Sequence, residues 1–249
     1  MKSQLRTFYR RILPVSARQW LTRNFRYPYA GKIDFGDLRR TQPISRVWGL
    51  DRGLPVDRYY IEQFLAAQST EVRGHALEIG ENRYTLRFGG TKVTKSDILH
   101  VAEGTPNATI IADLTRAGHI PSETFDCIIC TQTLHLIFEV ELAIETLYRI
   151  LKPGGVLLAT LPGISQVSRY DMDRWGDYWR FTSASAKRLF GQHFSPQEIQ
   201  IQVFGNVLTA TAFLQGIAAQ DLNPADLDVC DIDYEVLIGV KTVKGGARG

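Results

Sequence analysis

The chain has 249 residues, 44% of them hydrophobic and 22% charged, with a formal net charge of +3. That is the composition of a globular protein with enough chain for one α/β domain and an extension, or for two small domains. No apolar run approaches the roughly 18 residues of a membrane-spanning helix, and the N-terminus lacks the continuous apolar core of a secretory signal. The three cysteines cannot all pair. Cys127 and Cys130, at odd separation in a predicted strand, point to opposite faces. A redox or metal-binding CxxC pair is therefore set aside, no metal is expected, and the cysteine usage fits a reducing cytoplasm.

The net charge conceals an asymmetry. Residues 1–40 hold ten basic side chains against Asp34 and Asp37, which leaves 19 basic and 24 acidic side chains beyond them. Leu5, Phe8, Tyr9, Ile12 and Leu13 recur at helical spacing, with Arg6 and Arg10 outside the apolar stripe. Such a basic amphipathic helix either packs on the main domain with a solvated basic face or lies peripherally on an anionic membrane. The basic excess is local and no recognition motif accompanies it, so nucleic acid is not an expected partner.

Past Pro28, Gly31, Gly36 and Pro43 punctuate a looser stretch. Pro55 and Asp57 then predict a helix start with Asp57 as N-cap, and Tyr60, Ile61, Phe64 and Leu65 supply its apolar face. This divides the chain into a basic extension, residues 1–55, and a domain, residues 56–249. Gly74 stops the helix, and Ala76, Leu77 and Ile79 make the first buried strand. Further strands are predicted at 97–101, 108–112 and 125–130. A helix over 140–151 is stopped by Lys152-Pro153-Gly154-Gly155 before a fifth strand at 156–161. A helix over 184–190, a strand at 199–204, a helix over 207–220 and a last strand at 234–243 complete the chain. Short apolar runs alternating with helices indicate an α/β fold with a doubly wound, mostly parallel sheet, whose ligand crevice lies off the carboxyl ends of the strands.

Several side chains carry candidate chemistry. Asp51, Arg52, Asp57 and Arg58 are denser in charge than a helix start requires. Asp57, Arg58 and Tyr59 either line the pocket or make structural ion pairs and packing. His135 titrates near neutral pH and could take a proton; between Leu134 and Leu136 it could equally be a packed histidine. The loop Ser168-to-Thr182 interleaves Tyr170, Trp175, Tyr178, Trp179 and Phe181 with Asp171, Asp173, Arg174, Asp177 and Arg180. Rings among carboxylates suit sugar binding or a lid over a small acceptor; the alternative is a satellite core under the following helix.

The order HALEIGE (75–81), IIADL (110–114), FDCIICTQTLHLI (125–137) and LKPGGVLLATLPG (151–163) resembles class I S-adenosylmethionine-dependent methyltransferases. That resemblance implies a Rossmann-like seven-stranded sheet ending in an antiparallel pair, with S-adenosylmethionine as cofactor. The family's turn after the first strand reads acid, any residue, Gly, any, Gly, any, Gly. Glu78 and Gly80 match it, whereas Asn82 and Tyr84 replace the second and third glycines. Asn tolerates left-handed φ and could keep the turn, while Tyr84 would become a wall. His100 stands near the place of the acid that accepts the ribose hydroxyls, and can accept only one such bond. Asp113 and Leu114 would take the adenine edge, Gln132 would touch the cofactor, and Asp57 and Tyr59 would cover it. His135, Asp173 and Asp177, in that order, are the candidate general bases.

FGDLRR, PISR, DRGLPVDRYYIE, TQTLHLI and the aromatic loop further resemble bacterial methyltransferases found beside glycosyltransferases in polysaccharide pathways. The function this implies is O-methylation of a sugar or other small hydroxylated acceptor, with a glycosyltransferase as a candidate associate. Alternatives are carboxylate or N-methylation of a small natural product, and a non-catalytic methyltransferase-like scaffold. A nicotinamide-dependent dehydrogenase is disfavoured because GxGxxG is absent.

Overall fold

The computed structural model describes residues 13–25, 28–29 and 31–246. Most of the predicted basic amphipathic helix, from Leu5 to Ile12, lies outside the described residues. The chain divides into two compact units, residues 1–42 and 43–249. In the first, a helix (α1, Val15–Phe25) and a single 3-10 turn at Gly36–Leu38 are described. No described helix is long and apolar enough to cross a membrane.

The second unit is built on a seven-stranded sheet ordered β3-β2-β1-β4-β5-β7-β6. Its strands are β1 (Gly74–Ile79), β2 (Val93–His100), β3 (Ile110–Ile111), β4 (Phe125–Thr131), β5 (Leu151–Pro162), β6 (Ile199–Phe204) and β7 (Leu237–Val243). The first five run parallel, and β7 runs antiparallel between β5 and β6.

Strand periodicity sorts the core into two halves. Ile128, Cys130, Leu157 and Ala159 face one cluster, beneath helices α3 (Val140–Ile150) and α4 (Ser183–Phe190). Cys127, Ile129, Val156 and Leu158 face the other, beneath α2 (Val56–Ala67) and α5 (Val207–Gln215). Alternation with a period of two, both faces apolar, is what a sheet covered on both sides requires. It places the two cysteines on opposite faces. Phe125 joins the Ile128 face despite its odd separation because the β4–β5 register shifts between Phe125 and Cys127.

Boundaries differ from the sequence reading where local composition is silent. Residues 93–96 of β2 are half-buried or exposed, and no apolar run marks them. β3 shrinks to two residues at the sheet edge. Helix α5 ends at Gln215 rather than near residue 220, because Gly216 turns left-handed at φ 68°. A side chain there would collide with the Ser45 carbonyl. Helix α2 begins at Val56 with Pro55 as N-cap and no side-chain cap; the Asp57 carboxylate instead accepts from the Arg58 amide at 2.8 Å.

The unit boundary falls after Gln42, earlier than residue 55, because residues 43–55 are pinned to the sheet body. Ile44 and Ser45 donate to the Gln215 carbonyl, Leu54 donates to Gln220 Oε1, and the Leu54 carbonyl accepts from Ala219. A chain beginning at Pro43 should keep the unfolding free energy of the domain. One beginning at Val56 should lose about 2–6 kcal/mol, from four hydrogen bonds at about 0.5–1.5 kcal/mol each. Urea unfolding of the two truncations, followed by circular dichroism, measures the difference.

Candidate functional site

Strand order reverses between β1 and β4, so their carboxyl ends open a crevice. Gly80 leaves β1 at φ 91°, donates its amide to the Leu99 carbonyl at 2.8 Å, and has no atom within 4 Å of where a side chain would stand. Bare backbone therefore faces the crevice. The connection from there to β2 is compressed to a five-residue π-helical turn, Thr85–Gly89, and a 3-10 turn, Gly90–Lys92.

Glu78 holds that turn from below. Its fully buried carboxylate accepts from the Thr85 amide (2.7 Å), the Thr85 hydroxyl (2.8 Å) and the Tyr84 amide (3.3 Å). Burial raises its pKa, against the pull of those bonds. Glu78 borders neither cavity of the crevice, and nor do Asn82 and Tyr59. Asn82 does not take a left-handed φ, and its amide reaches Ser96 Oγ at 3.4 Å. The Tyr59 hydroxyl donates to Asp228 at 2.9 Å. Tyr84 is a wall, its hydroxyl accepting from Arg58 at 3.3 Å.

The first cavity, of about 410 Å³, lies off β1, β2 and β3. Gly80, His100, Asp113 and Leu114 border it together with the apolar Ile79, Leu99 and Ala112. One Asp113 oxygen caps the next turn, accepting from the Thr115 amide (2.9 Å) and hydroxyl (2.8 Å); no described protein group bonds the other. His100 Nδ1 accepts from the Ala102 amide at 2.9 Å, and the ring stands edge-on to Trp175 at 5.9 Å. A lone pair on Nδ1 puts the neutral ring's proton on Nε2. Toward a ligand His100 therefore offers a donor, where the sequence reading assumed an acceptor.

The second cavity, of about 510 Å³, shares Leu136 with the first and takes in Asp57, Gln132, His135 and Asp177. Gln132 sits at the end of β4 with φ 48°, a left-handed position that costs a non-glycine of order 1–3 kcal/mol and recurs at ligand sites. Its amide donates to the Thr160 carbonyl at 3.1 Å. His135 is buried, with 8% exposure, and its Nδ1 has no hydrogen-bond partner. Burial pushes His135 down to about 4, opposed by the Asp177 charge. The imidazole is thus neutral at physiological pH, and no described protein group bonds either nitrogen.

The two loop acids diverge. Asp177 is clamped by Arg180 in a two-pronged pair (2.6 and 2.9 Å) and by the Ser168 amide (2.8 Å). Burial alone would raise its carboxyl, but Arg180 and Ser168 hold it below the usual range. It holds the loop, with both carboxylate oxygens engaged. Asp173 is exposed, lies 3.7 Å from Arg169 and borders neither cavity.

The loop's aromatics also depart from expectation, since none borders the second cavity. Trp175 and Tyr178 wall the first cavity, Trp179 bonds the Ile137 carbonyl at 3.1 Å, and Phe181 is buried. The second cavity draws its aromatic surface from Trp48, Tyr84 and Phe213, and its polar wall includes Gln166 and Asp171. Sequence reading passed over Trp48 and Gln166, since the bond that ties their segments together, Gln166 Nε2 to the Arg46 carbonyl at 2.9 Å, spans 120 residues.

Residues 80–159 match the family described as a methyltransferase domain. No curated protein matches the chain. Among solved structures, the [4+2]-cyclase SpnF shares 17% identity over 76% of this chain and 82% of its own, with a TM-score of 0.50. The N-methyltransferase NodS from Bradyrhizobium japonicum, in complex with S-adenosyl-L-homocysteine, shares 16% over 79% and 91%, with a TM-score of 0.47. A SAM-dependent methyltransferase from Archaeoglobus fulgidus shares 12% over 75% and 98%, at 0.48. At these identities the likeness to SpnF concerns the fold.

The buried neutral imidazole makes stability sensitive to acid. The folded pKa lies below the unfolded one, so the stabilisation is complete above the unfolded value of 6.5 and is lost as pH falls toward about 4. The shift amounts to about 3 kcal/mol. Urea titrations of the native protein and of His135→Phe between these pH limits should show a smaller acid loss in the variant, by that amount.

Proposed function

We propose that this chain, a class I S-adenosylmethionine-dependent methyltransferase, methylates a hydroxyl oxygen of a small polyhydroxylated acceptor, a sugar in the first instance. One observation carries the reading: a largely apolar cavity at the ends of β1, β2 and β3 shares Leu136 with a more polar one whose wall holds a neutral, unpartnered histidine.

The residues of the first cavity fit the cofactor. Gly80 leaves an open backbone surface, the apolar Leu99, Ala112 and Leu114 suit a flat ring, and Asp113 keeps one oxygen unbonded for an amino group. A volume of about 410 Å³ lies in the range of roughly 300–1,000 Å³ usual for ligand sites. Gly80, His100, Asp113 and Leu114 would hold the nucleoside, and Asp57 and Gln132 the amino-acid portion. Burial raises the Asp57 carboxyl, and the neighbouring Arg58 lowers it. When bound, the cofactor supplies an electrophilic methyl group on a sulfonium.

The chain's own residues then have two tasks. They align the acceptor oxygen with that methyl group, the larger part of catalysis for an electrophile already strong. They also give the hydroxyl proton somewhere to go. His135 is the base this reading favours: it is uncharged at neutral pH, and its nitrogens are uncommitted. Arg180 and Asp177 fix the loop that carries its neighbours, and the His135 carbonyl accepts from the Tyr178 and Trp179 amides.

The basic excess of residues 1–40 supports a separate accessory role, recruiting the enzyme to an anionic surface or a membrane-bound partner. Removing residues 1–27 should leave cofactor affinity intact and weaken binding to anionic vesicles, most at low salt. Co-sedimentation at two ionic strengths tests this, and unchanged vesicle binding would refute it.

For the site itself, His135→Ala should lower turnover by roughly two to four orders of magnitude if the imidazole is the base, with affinity for S-adenosylhomocysteine unchanged by calorimetry. Asp113→Ala should do the reverse, weakening that affinity first. Because His135 already lies at about 4, its turnover should be level across neutral pH and fall only toward that value.

A further inference from the structure

Among the described residues four non-glycines take a positive φ: Trp48, Asn107, Glu123 and Gln132. Two of them, Trp48 at 58° and Gln132 at 48°, border the same cavity; the other two border neither cavity of the crevice. A bulky residue in the left-handed region costs of order 1–3 kcal/mol and persists only where its surroundings over-determine it. The turn around Trp48 is fixed in that way. Ser45 Oγ accepts from the Val47 and Gly49 amides at 3.2 and 3.1 Å and donates to Asp51 at 2.5 Å. Gly49 comes next at φ 86°, so close to α5 that a side chain would meet the Gly216 carbonyl at 2.9 Å. Gln166, by donating to the Arg46 carbonyl, ties this turn to the loop after β5. The strain holds an indole at the cavity wall.

The same cavity separates its acids by commitment. Asp177 is spent on Arg180, Glu62 on Arg87 at 2.7 Å, and Asp57 accepts from the Arg58 amide. Asp171 alone among them, half-buried, has a carboxylate bonded to no described group, and its charge reaches His135. Gln166, its amide nitrogen engaged, keeps its oxygen free. Asp171 and the Gln166 oxygen are thus uncommitted acceptors on a wall that also carries the Arg58 guanidinium, a set that suits a ligand with both donors and acceptors, as a polyol has.

We propose that Trp48 and Asp171 form the acceptor subsite: a pyranose ring lies with its C–H face on the Trp48 indole, and Asp171 accepts a ring hydroxyl, presenting a neighbouring hydroxyl to His135. Asp171 is a specificity-determining contact, and the proposal rests on the reading of the crevice as a methyltransferase site. The wall carries both signs of charge, Asp171 against an anionic acceptor and Arg58 against a cationic one, which favours an uncharged ligand.

The experiment is saturation-transfer NMR of the full chain with saturating S-adenosylhomocysteine and a panel of methyl pyranosides differing in hydroxyl configuration, with tetramethylammonium as a cation arm. At least one pyranoside should bind. Trp48→Ala and Asp171→Asn should each weaken it by roughly tenfold or more, about 1.4 kcal/mol. Trp48→Phe should restore most of the loss, and calorimetric affinity for S-adenosylhomocysteine should stay within about twofold, as neither residue borders the first cavity. Three results overturn the subsite: no pyranoside contact with the native protein, contact that survives both substitutions, or tetramethylammonium binding in place of the sugars. Failure of the native protein to bind S-adenosylhomocysteine would instead overturn the underlying reading of the crevice.

Discussion

The reversal of strand order between β1 and β4 is the constraint on which the rest depends. A sheet wound in both directions from that point must carry helices on both faces, and the two core clusters divide accordingly. It also leaves the carboxyl ends of β1 and β4 without a covering crossover, so the chain has a crevice there whatever side chains line it. Both cavities open from this gap. Its floor is fixed by strand pairing, and its roof by the turn before α2 and the loop after β5.

The floor is held by a buried acid. Glu78 spends its carboxylate on the backbone and hydroxyl of the next turn, which explains how that turn survives without the family's second and third glycines. Three bonds from Tyr84 and Thr85 replace conformational freedom with a fixed geometry, and only Gly80 needs a left-handed φ. The crossover after β1 is consequently compressed to a π-helical turn and a 3-10 turn. Tyr84, at the old glycine position, reaches across to Arg58 and closes one side of the second cavity.

Electrostatics divide the crevice by how far each charge is already satisfied. Arg180 bonds Asp177, the Trp179 and Gln166 carbonyls and, weakly, the Ser165 carbonyl, so the loop after β5 is one hydrogen-bonded body. Burial keeps His135 neutral beside it. A fixed ion pair and an uncharged imidazole serve different ends: the pair sets position, and the imidazole can accept a proton without first losing one. Removing Arg180 leaves the buried Asp177 charge without its cation, the costly way to break such a pair.

The sequence by itself determined the strands that carry apolar runs, their parallel winding, and that Gly80, Asp113 and Gln132 border the crevice, because each stands at the end of a strand that its own composition announces. It also fixed the opposite facing of Cys127 and Cys130, a matter of parity. It could not reach what depends on contacts across the chain. Even the direction of Glu78, the tautomer of His100 and the clamping of Asp177, set by partners two to nine residues away, follow from turns whose geometry only the packed chain decides. Trp48 and Asp171 stand 123 positions apart, and only tertiary folding brings them to one cavity. Local pattern encodes which backbone a residue adopts. Which hydrogen bonds a polar side chain has left over is decided only when the whole chain is packed.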